Sequence, residues 1–118
     1  MEGNDLVTLQ ETLFGRPLTC TVTWLDDGIH VLFTGGDLGH IGAVSVCDPG
    51  SAAQTLTMPG HKEQYISAPW AKAIADASGL RCCVVCGIHY DRASPEQIGA
   101  VLEAADRMLI QVLSYIQK

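Results

Sequence analysis

Residues 35–42 of the chain are Gly-Gly-Asp-Leu-Gly-His-Ile-Gly, and they lie between two apolar runs that have the pattern of β-strands. Four glycines in eight residues are costly in backbone entropy, and a tight turn needs only one or two. Glycine at this density lets the main chain adopt positive φ angles and lets atoms of another molecule approach the backbone closely. We therefore predict that this segment belongs to a binding site, with a plain hairpin turn as the alternative.

Two other segments combine glycine, histidine and charged groups near the ends of predicted elements. Residues 59–63 are Pro-Gly-His-Lys-Glu, and residues 87–91 are Gly-Ile-His-Tyr-Asp. Polar residues at the end of a central strand are favoured positions for ligand contacts. We expect the three segments to converge on one polar, glycine-lined site, with His40, His61 and His89 around a single hollow.

The chemistry of these side chains leaves several roles open. A histidine can donate to a phosphate or carbonyl group, transfer a proton or bind a metal ion. Lys62 would attract a phosphate, and the N-terminus of the following helix would add to that attraction. The ordinary alternatives are that His40 and His89 bond neighbouring backbone groups, and that Lys62 and Glu63 lie in a solvated turn.

The composition narrows the class of protein. With 118 residues, 47% of them hydrophobic, we expect a single domain over residues 1–118 with a real core. A net charge of −6 argues against non-specific binding to nucleic acids or anionic membranes. The N-terminus lacks the features of a signal peptide, and no apolar stretch reaches the ~18 residues of a membrane span. We expect a soluble, cytoplasmic protein.

The five cysteines argue against both a disulfide framework and a zinc site. Their number is odd, and three of them fall in one apolar run, residues 80–88. Cys82 and Cys86 are four residues apart and flanked by Val84 and Val85, so they resemble small buried hydrophobic residues rather than zinc ligands. We expect reduced thiols and no metal ion, although a site of histidines alone stays open. Cys47, at a strand end, is the cysteine best placed for an exposed, reactive thiol.

The periodicity of apolar residues predicts an α+β fold. An Asp-Gly turn joins two strands with clear alternation, residues 18–24 and 29–34, and residues 80–88 form a strand covered on both faces. The predicted order is β-β-β-β-α-β-α, an antiparallel meander with two helices packed on it. Weaker strand signals occur over residues 5–14 and 41–47, with a possible short strand around residues 55–57.

The helix boundaries follow from capping signals. Ser67 is the predicted N-cap of the first helix, with Pro69 in its first turn and Gly79 at its end. The sequence Ser-Pro-Glu-Gln at residues 94–97 is a capping box that starts the second helix.

The last helix has a wide apolar stripe. Its members recur at helical spacing and are Ile98, Val101, Leu102, Ala105, Leu109, Val112, Leu113 and Ile116. Met108, Ile110 and Tyr115 widen the stripe further. A stripe of this width indicates a second packing surface, such as the contact of a homodimer.

Taken together, the three polar segments resemble the prenylated-flavin chaperone family. The resemblance rests on Gly-Gly-Asp-x-x-His-Ile-Gly-Ala-Val, Pro-Gly-His-Lys-Glu and Gly-Ile-His-Tyr-Asp, in this order and before a terminal helix that begins with Pro-Glu. It covers about residues 14–117. Members of this family are the small D-type accessory subunits of gallate and related hydroxyarylic acid decarboxylases.

The resemblance implies a fold similar to that of proteasome assembly chaperones, a homodimer and no turnover. The implied task is to bind prenylated flavin mononucleotide (prenylated FMN), or FMN, and to deliver it to a UbiD-type, flavin-dependent aromatic acid decarboxylase. The flavin contacts implied by position are Gly35, Gly36, Asp37, His40, Ile41, Gly42, His61, Lys62, Glu63 and His89.

The residue chemistry is compatible with a flavin cargo. His61, Lys62 and glycine amides would bind the phosphate. Trp70, Ile41 or Ile88 would supply an apolar wall for the ring.

Two other functions stay open at this point. A small decarboxylase or hydrolase would use His40 and His89 as acid and base. A structural subunit would depend on its terminal helix alone, without any role for the histidines.

Overall fold

The computed structural model describes residues 5–58 and 63–116. The described elements are six strands and two helices, which confirms the predicted α+β class. The short strand suggested around residues 55–57 is present. In chain order they are β1 (Leu6–Leu13), β2 (Arg16–Trp24), β3 (Gly28–Gly36), β4 (Ala43–Cys47), β5 (Gln54–Thr57), α1 (Gln64–Ser78), β6 (Arg81–His89) and α2 (Pro95–Ile116).

The strands form one sheet in the order β1-β2-β3-β6-β4-β5. The predicted antiparallel meander covers β1 to β3. The last strand, β6, then lies between β3 and β4, parallel to β3 and antiparallel to β4. The prediction that β6 is covered on both faces is wrong for one of them: Cys82, Val84 and Cys86 are fully buried beneath the helices, whereas Cys83 and Val85 on the other face are only half-buried.

Both helices pack on the same face of the sheet, and the core lies between them and the strands. Cys20, Phe33 and Cys86 are register partners on three neighbouring strands, and none of them is exposed. Trp70 of α1 stacks on Phe33 with 4.7 Å between the ring centroids. Trp70 is therefore part of the core, and its predicted role as a ligand wall is wrong.

Helix α1 starts earlier than predicted. Its N-cap is Glu63, and Ser67 lies inside the helix, fully buried. The hydroxyl of Ser67 is 2.8 Å from that of Ser45 on β4, so a buried contact between helix and sheet replaces the predicted capping bond. Pro69 consequently lies in the second turn. The predicted end at Gly79 is confirmed by its left-handed φ of 73°.

Helix α2 starts as predicted and buries a narrower stripe than predicted. Ser94 and Gln97 form the capping box, with N–H···O distances of 2.8 and 3.1 Å. Met108, which was expected to widen the outer surface, is buried in the core together with Val112. Ile98, Leu102 and Ile110 are exposed, so part of the predicted apolar stripe remains on the surface. Neither described helix is both long and apolar enough to cross a lipid bilayer.

All five cysteines carry free thiols, and four of them are buried. Burial raises the pKa of Cys20 and of Cys82 to about 12. Cys47 is also buried, and its thiol donates to the carbonyl oxygens of Asp48 and Ser51, each at 3.3 Å. The prediction of an exposed, reactive thiol at Cys47 is therefore wrong.

Candidate functional site

The first and third polar segments lie side by side because β3 and β6 are parallel neighbours. Gly36, at the end of β3, is the register partner of His89, at the end of β6. The Asp37 N–H donates to the His89 carbonyl at 2.6 Å, and the Gly42 N–H donates to the Cys86 carbonyl at 2.9 Å. Both ends of the loop at residues 37–42 are thus bonded to β6.

The glycines of these segments make room for the chain's own atoms. A Cβ atom on Gly87 would collide with the His40 carbonyl, and one on Gly42 would collide with the Glu63 carboxylate. Gly36 has a φ of 83°, and a Cβ there would meet the His89 carbonyl. At these positions the expectation that glycine leaves the backbone open to a ligand is wrong, because neighbouring parts of the chain occupy that space.

His40 and Glu63 form a largely buried imidazole–carboxylate pair. The distance from His40 Nε2 to Glu63 Oε1 is 2.9 Å, and the two side chains are 15% and 9% exposed. The Nδ1 atom of His40 lies 3.3 Å from the Leu38 carbonyl. Both ring nitrogens therefore face acceptors, and the imidazolium form donates to both. Because Glu63 is also the N-cap of α1, its negative charge lies near the positive end of the helix dipole.

A second imidazole–carboxylate pair lies beside the first and is exposed. His89 Nε2 is 2.8 Å from Asp91 Oδ1. The ring centroids of His40 and His89 are 6.3 Å apart. His89 lines the pocket and can therefore reach a ligand, whereas both ring nitrogens of His40 already face acceptors of the chain. Within residues 5–58 and 63–116, no three His, Cys, Asp or Glu side chains are grouped so that they could hold a metal ion.

The carboxylate of Asp37 stabilises the loop at residues 37–42. It accepts hydrogen bonds from the Asp91 N–H at 2.8 Å and from Arg16 Nε at 3.1 Å. The Asp91 N–H, followed by the Arg16 guanidinium, lowers the pKa of Asp37 below its ordinary value. Asp37 thus ties the loop to the connection between β6 and α2.

A pocket of about 510 Å³ opens next to the two histidine pairs, between the first turns of both helices and the end of β6. One end of it is polar and is lined by Glu63 and His89. The wall is apolar, and two tyrosines border it. The remaining lining residues are Tyr65, Ile66, Ile88, Tyr90, Ala93, Ile98, Val101 and Leu102.

The structure brings part of the predicted set together. The residues that meet at this corner are Gly36, Asp37, His40, Gly42, Glu63 and His89. Ile41 is exposed and outside the pocket lining, and the space next to Gly35 is filled by Pro17 and Leu18. His61 and Lys62 lie outside the described residues. Of the predicted apolar walls, Ile88 lines the pocket.

Most of the pocket wall was not predicted from the sequence. The missed residues are on the first two turns of the helices, where Tyr65, Ile98 and Leu102 are exposed large side chains. Their signal in the sequence is weak, because Ile98 and Leu102 have the same helical spacing as the core stripe of α2. Only the packing of α2 shows that they face the pocket instead of the core.

Two sequence comparisons find similar proteins. The profile of the prenylated flavin chaperone LpdD-like domain matches residues 14–117. The chain is also similar to Protein LpdD of Lactiplantibacillus plantarum, with 29% identity over 92 residues that cover 74% of this chain and 68% of the relative.

One structural comparison confirms the predicted fold. The chain is similar to a chain in the crystal structure of a chaperone complex for yeast 20S proteasome assembly, with a TM-score of 0.64 and 13% identity. The similarity covers 96% of this chain and 98% of the other, and at this identity it concerns the fold alone. The profile match, in contrast, concerns the sequence itself and spans all three polar segments. The chain therefore belongs to the prenylated flavin chaperone LpdD-like family.

Proposed function

We propose that the chain is a carrier that binds prenylated FMN without turning it over and delivers it to a UbiD-type, flavin-dependent aromatic acid decarboxylase. The observation that carries the proposal is a pocket with an apolar wall and a polar end beside two imidazole–carboxylate pairs. Membership of the prenylated flavin chaperone family supports a flavin-related cargo.

The pocket matches the two chemical halves of this cargo. A volume of about 510 Å³ lies within the ~300–1,000 Å³ usual for small-molecule sites. Ile88, Val101 and Leu102 provide the apolar contact that a prenylated, fused ring system needs. His89 and the carboxylate of Glu63 line the pocket and provide hydrogen-bonding groups for the polar edge of the ring.

The phosphate of the cargo would bind near the start of α1. His61 and Lys62 directly precede Glu63 in the sequence and are the proposed contacts. The N-terminus of a helix favours an anion through its N–H groups and its dipole.

Delivery requires that the cargo leave intact. The exposed side chains of Tyr65, Ile98 and Leu102 line the pocket, so a ligand can depart without separation of the helices from the sheet. The single domain, the homodimer implied by the family resemblance and a cytoplasmic location belong to the same proposal.

The proposal is tested by titrating the chain with prenylated FMN and with FMN, followed by fluorescence, and by adding the loaded chain to an apo-decarboxylase. In Leu102→Asp a carboxylate faces the apolar wall and the phosphate-bearing cargo, and we expect affinity to fall about tenfold or more. Ile110→Asp is the matched control, because Ile110 is an exposed apolar residue of the same helix outside the pocket lining.

Two results would contradict the carrier function. One is the absence of binding by either flavin, and the other is equal affinity in Leu102→Asp and the unmodified chain. Activation of the apo-decarboxylase only by the loaded chain is the expected result for delivery.

An enzyme of the acid–base type is the second candidate, favoured by the 6.3 Å separation of the His40 and His89 rings. It predicts product formation by the chain alone. It also predicts that His40→Ala lowers the rate while leaving binding intact, whereas a carrier loses binding in this variant.

A further inference from the structure

The turn between β1 and β2 holds a residue that does not suit its backbone. Leu13 and Arg16 are register partners, so Phe14 and Gly15 form a two-residue hairpin turn. Both have positive φ angles, 52° and 75°, which is the pattern of a type I′ turn. Asparagine followed by glycine is the usual pair in such a turn, because a bulky side chain is costly in the left-handed conformation. Phe14 therefore strains the backbone where asparagine would fit.

Burial in the core does not account for Phe14. This residue is 50% exposed and lies outside the core cluster. It also lies outside the lining of the pocket of about 510 Å³. Its ring packs edge to face against Tyr90, with 5.5 Å between the two ring centroids. An edge-to-face arrangement at this distance is a favourable one for two aromatic rings. The strained turn thus carries a ring whose aromatic partner is Tyr90.

Tyr90 is a wall residue of the pocket, and the hairpin holds it in place. Tyr90 directly follows β6 and lines the pocket. Its hydroxyl donates to the carbonyl of Arg16, 74 residues away in the sequence, at 3.2 Å. Burial, followed by the Asp37 carboxylate, raises the pKa of this hydroxyl, so it keeps its proton and remains a donor. The hairpin end therefore contacts Tyr90 twice, at the ring and at the hydroxyl.

The hairpin end is itself attached to the same corner of the fold. Arg16 Nε donates to Asp37 at 3.1 Å, and Asp37 accepts from the N–H of Asp91, the residue after Tyr90. The backbone on both sides of the Phe14–Tyr90 contact is thus bonded to neighbouring segments. A ring presented from such a support restricts the ring that it touches.

We propose that Phe14 is a positioning residue that holds the ring of Tyr90 as a fixed wall of the flavin pocket. The proposal rests on the proposed function for the identity of the ligand and on the hairpin geometry for the role of Phe14. A wall side chain that is ordered in advance does not have to be ordered when the ligand binds, and this increases affinity. Strained backbone is commonly found at binding sites, where the strain is part of such preorganisation.

Three substitutions of Phe14 separate the role of the ring from that of the turn. Phe14→Asn and Phe14→Ala both remove the ring, but only asparagine suits the turn. We expect both to weaken flavin binding about fivefold, because Tyr90 must then be ordered on binding. We expect Phe14→Asn to melt about 4 °C higher than Phe14→Ala, because alanine keeps the left-handed strain. Phe14→Tyr keeps an aromatic ring and should retain the affinity of the unmodified chain.

Two measurements of binding and stability are combined with one that needs no ligand. Fluorescence titration with prenylated FMN and with FMN gives the affinity, and thermal denaturation followed by circular dichroism gives the melting temperature. NMR relaxation of the chain with ¹³C-labelled tyrosine rings measures how ordered the ring of Tyr90 is. We expect this order to fall in Phe14→Asn and in Phe14→Ala and to persist in Phe14→Tyr. Tyr115, at the other end of α2, is the internal control.

Three results would overturn the proposal. The first is a flavin affinity of Phe14→Asn equal to that of the unmodified chain, since affinity would then follow the turn and not the ring. The second is an unchanged order of the Tyr90 ring in Phe14→Asn. The third is a loss of decarboxylase activation at unchanged flavin affinity, which would assign Phe14 to the contact with the acceptor enzyme. An unmodified chain that binds neither flavin would contradict the proposed function, whereas the relaxation measurement would still decide whether Phe14 holds Tyr90.

Discussion

Two hydrogen-bonded side-chain pairs of similar length lie near the two ends of β6 in very different surroundings. At its end, the His40–Glu63 pair measures 2.9 Å, and its side chains are 15% and 9% exposed. At its start, the Arg81–Asp48 pair measures 2.7 Å, and its side chains are 65% and 52% exposed. The buried pair adjoins an apolar pocket of about 510 Å³, whereas the exposed pair borders a smaller cavity of about 320 Å³.

The comparison teaches that bond length does not distinguish a surface contact from a site. Water screens an exposed pair and replaces its hydrogen bonds when one partner is removed. Such a pair therefore contributes little to the free energy of unfolding. A buried hydrogen-bonded pair leaves a polar atom without its partner when one side chain is removed. The end of β6 that holds the buried pair should therefore respond more strongly to substitution than the other end, in stability as well as in binding.

The largest expected difference in stability is between substitutions of two glycines, Gly87 and Gly50, that lie near the two ends of β6. Gly87→Ala would force the loop at residues 37–42 off the sheet, because the new Cβ collides with the His40 carbonyl. We expect a loss of about 3 kcal/mol in the free energy of unfolding and loss of flavin binding. Gly50→Ala, near the other end, meets no atom within 4 Å and incurs only the left-handed strain at its φ of 73°, about 1 kcal/mol. Urea denaturation measures both, and equal losses would contradict the tight fit of the loop.

An intermediate difference in stability is expected between substitutions of the two carboxylates, Glu63 and Asp48. Glu63→Gln replaces the carboxylate acceptor of His40 by a neutral amide oxygen in a buried position, and we expect a loss of about 1 kcal/mol in the free energy of unfolding, because hydrogen bonds to carboxylates are stronger than those to amides. Asp48→Asn at the exposed pair should leave the stability nearly unchanged. Thermal denaturation at pH 7 is the measurement. A stability loss in Asp48→Asn that matched that of Glu63→Gln would show that burial does not separate the two ends.

The smallest expected difference in stability is between substitutions of Asp37 and Asp76, whose carboxylates have the same type of environment. A backbone N–H, from Asp91 for Asp37 and from Gly50 for Asp76, is the main cause that lowers the pKa of each carboxyl, and a basic side chain adds to it. A lowered folded-state pKa stabilises the fold fully above the ordinary value of 3.8, and this stabilisation is lost as the pH falls through the folded-state pKa.

We therefore expect Asp37→Asn and Asp76→Asn to lose a similar, small amount of stability at pH 7, and this difference from the unmodified chain to vanish in strong acid. Denaturant titrations at a series of pH values measure it. Flavin affinity should change in Asp37→Asn alone, because only Asp37 braces the loop that holds His40. A pH-independent difference would contradict the role of the carboxylate charge.

Local signals in the sequence were sufficient for most elements of the fold. The alternation in β2 and β3, the capping box at Ser94 and the stop at Gly79 depend on residues close together in the chain. The start of α1 did not follow from such a signal. Ser67 looked like an N-cap, but a buried bond to Ser45 competes for its hydroxyl, and Ser45 is distant in sequence.

The polar corner was predicted in part. The glycine and histidine segments indicated the loop and the strand end that meet, but the role of the glycines was misjudged. A sequence shows that Gly42 and Gly87 lack a side chain, and only the fold shows whose atoms fill the space. The pocket wall from Ile98 and Leu102 was missed for the same reason.

The sequence by itself determined the α+β class, the element boundaries set by turns and caps, and the family, because each of these is written in local patterns or in the order of motifs. Only the tertiary structure decided that β6 lies between β3 and β4, that Glu63 is buried against His40, and that both described helices pack on the same face of the sheet. These outcomes depend on contacts between residues far apart in the chain, whose free energies are absent from any local pattern.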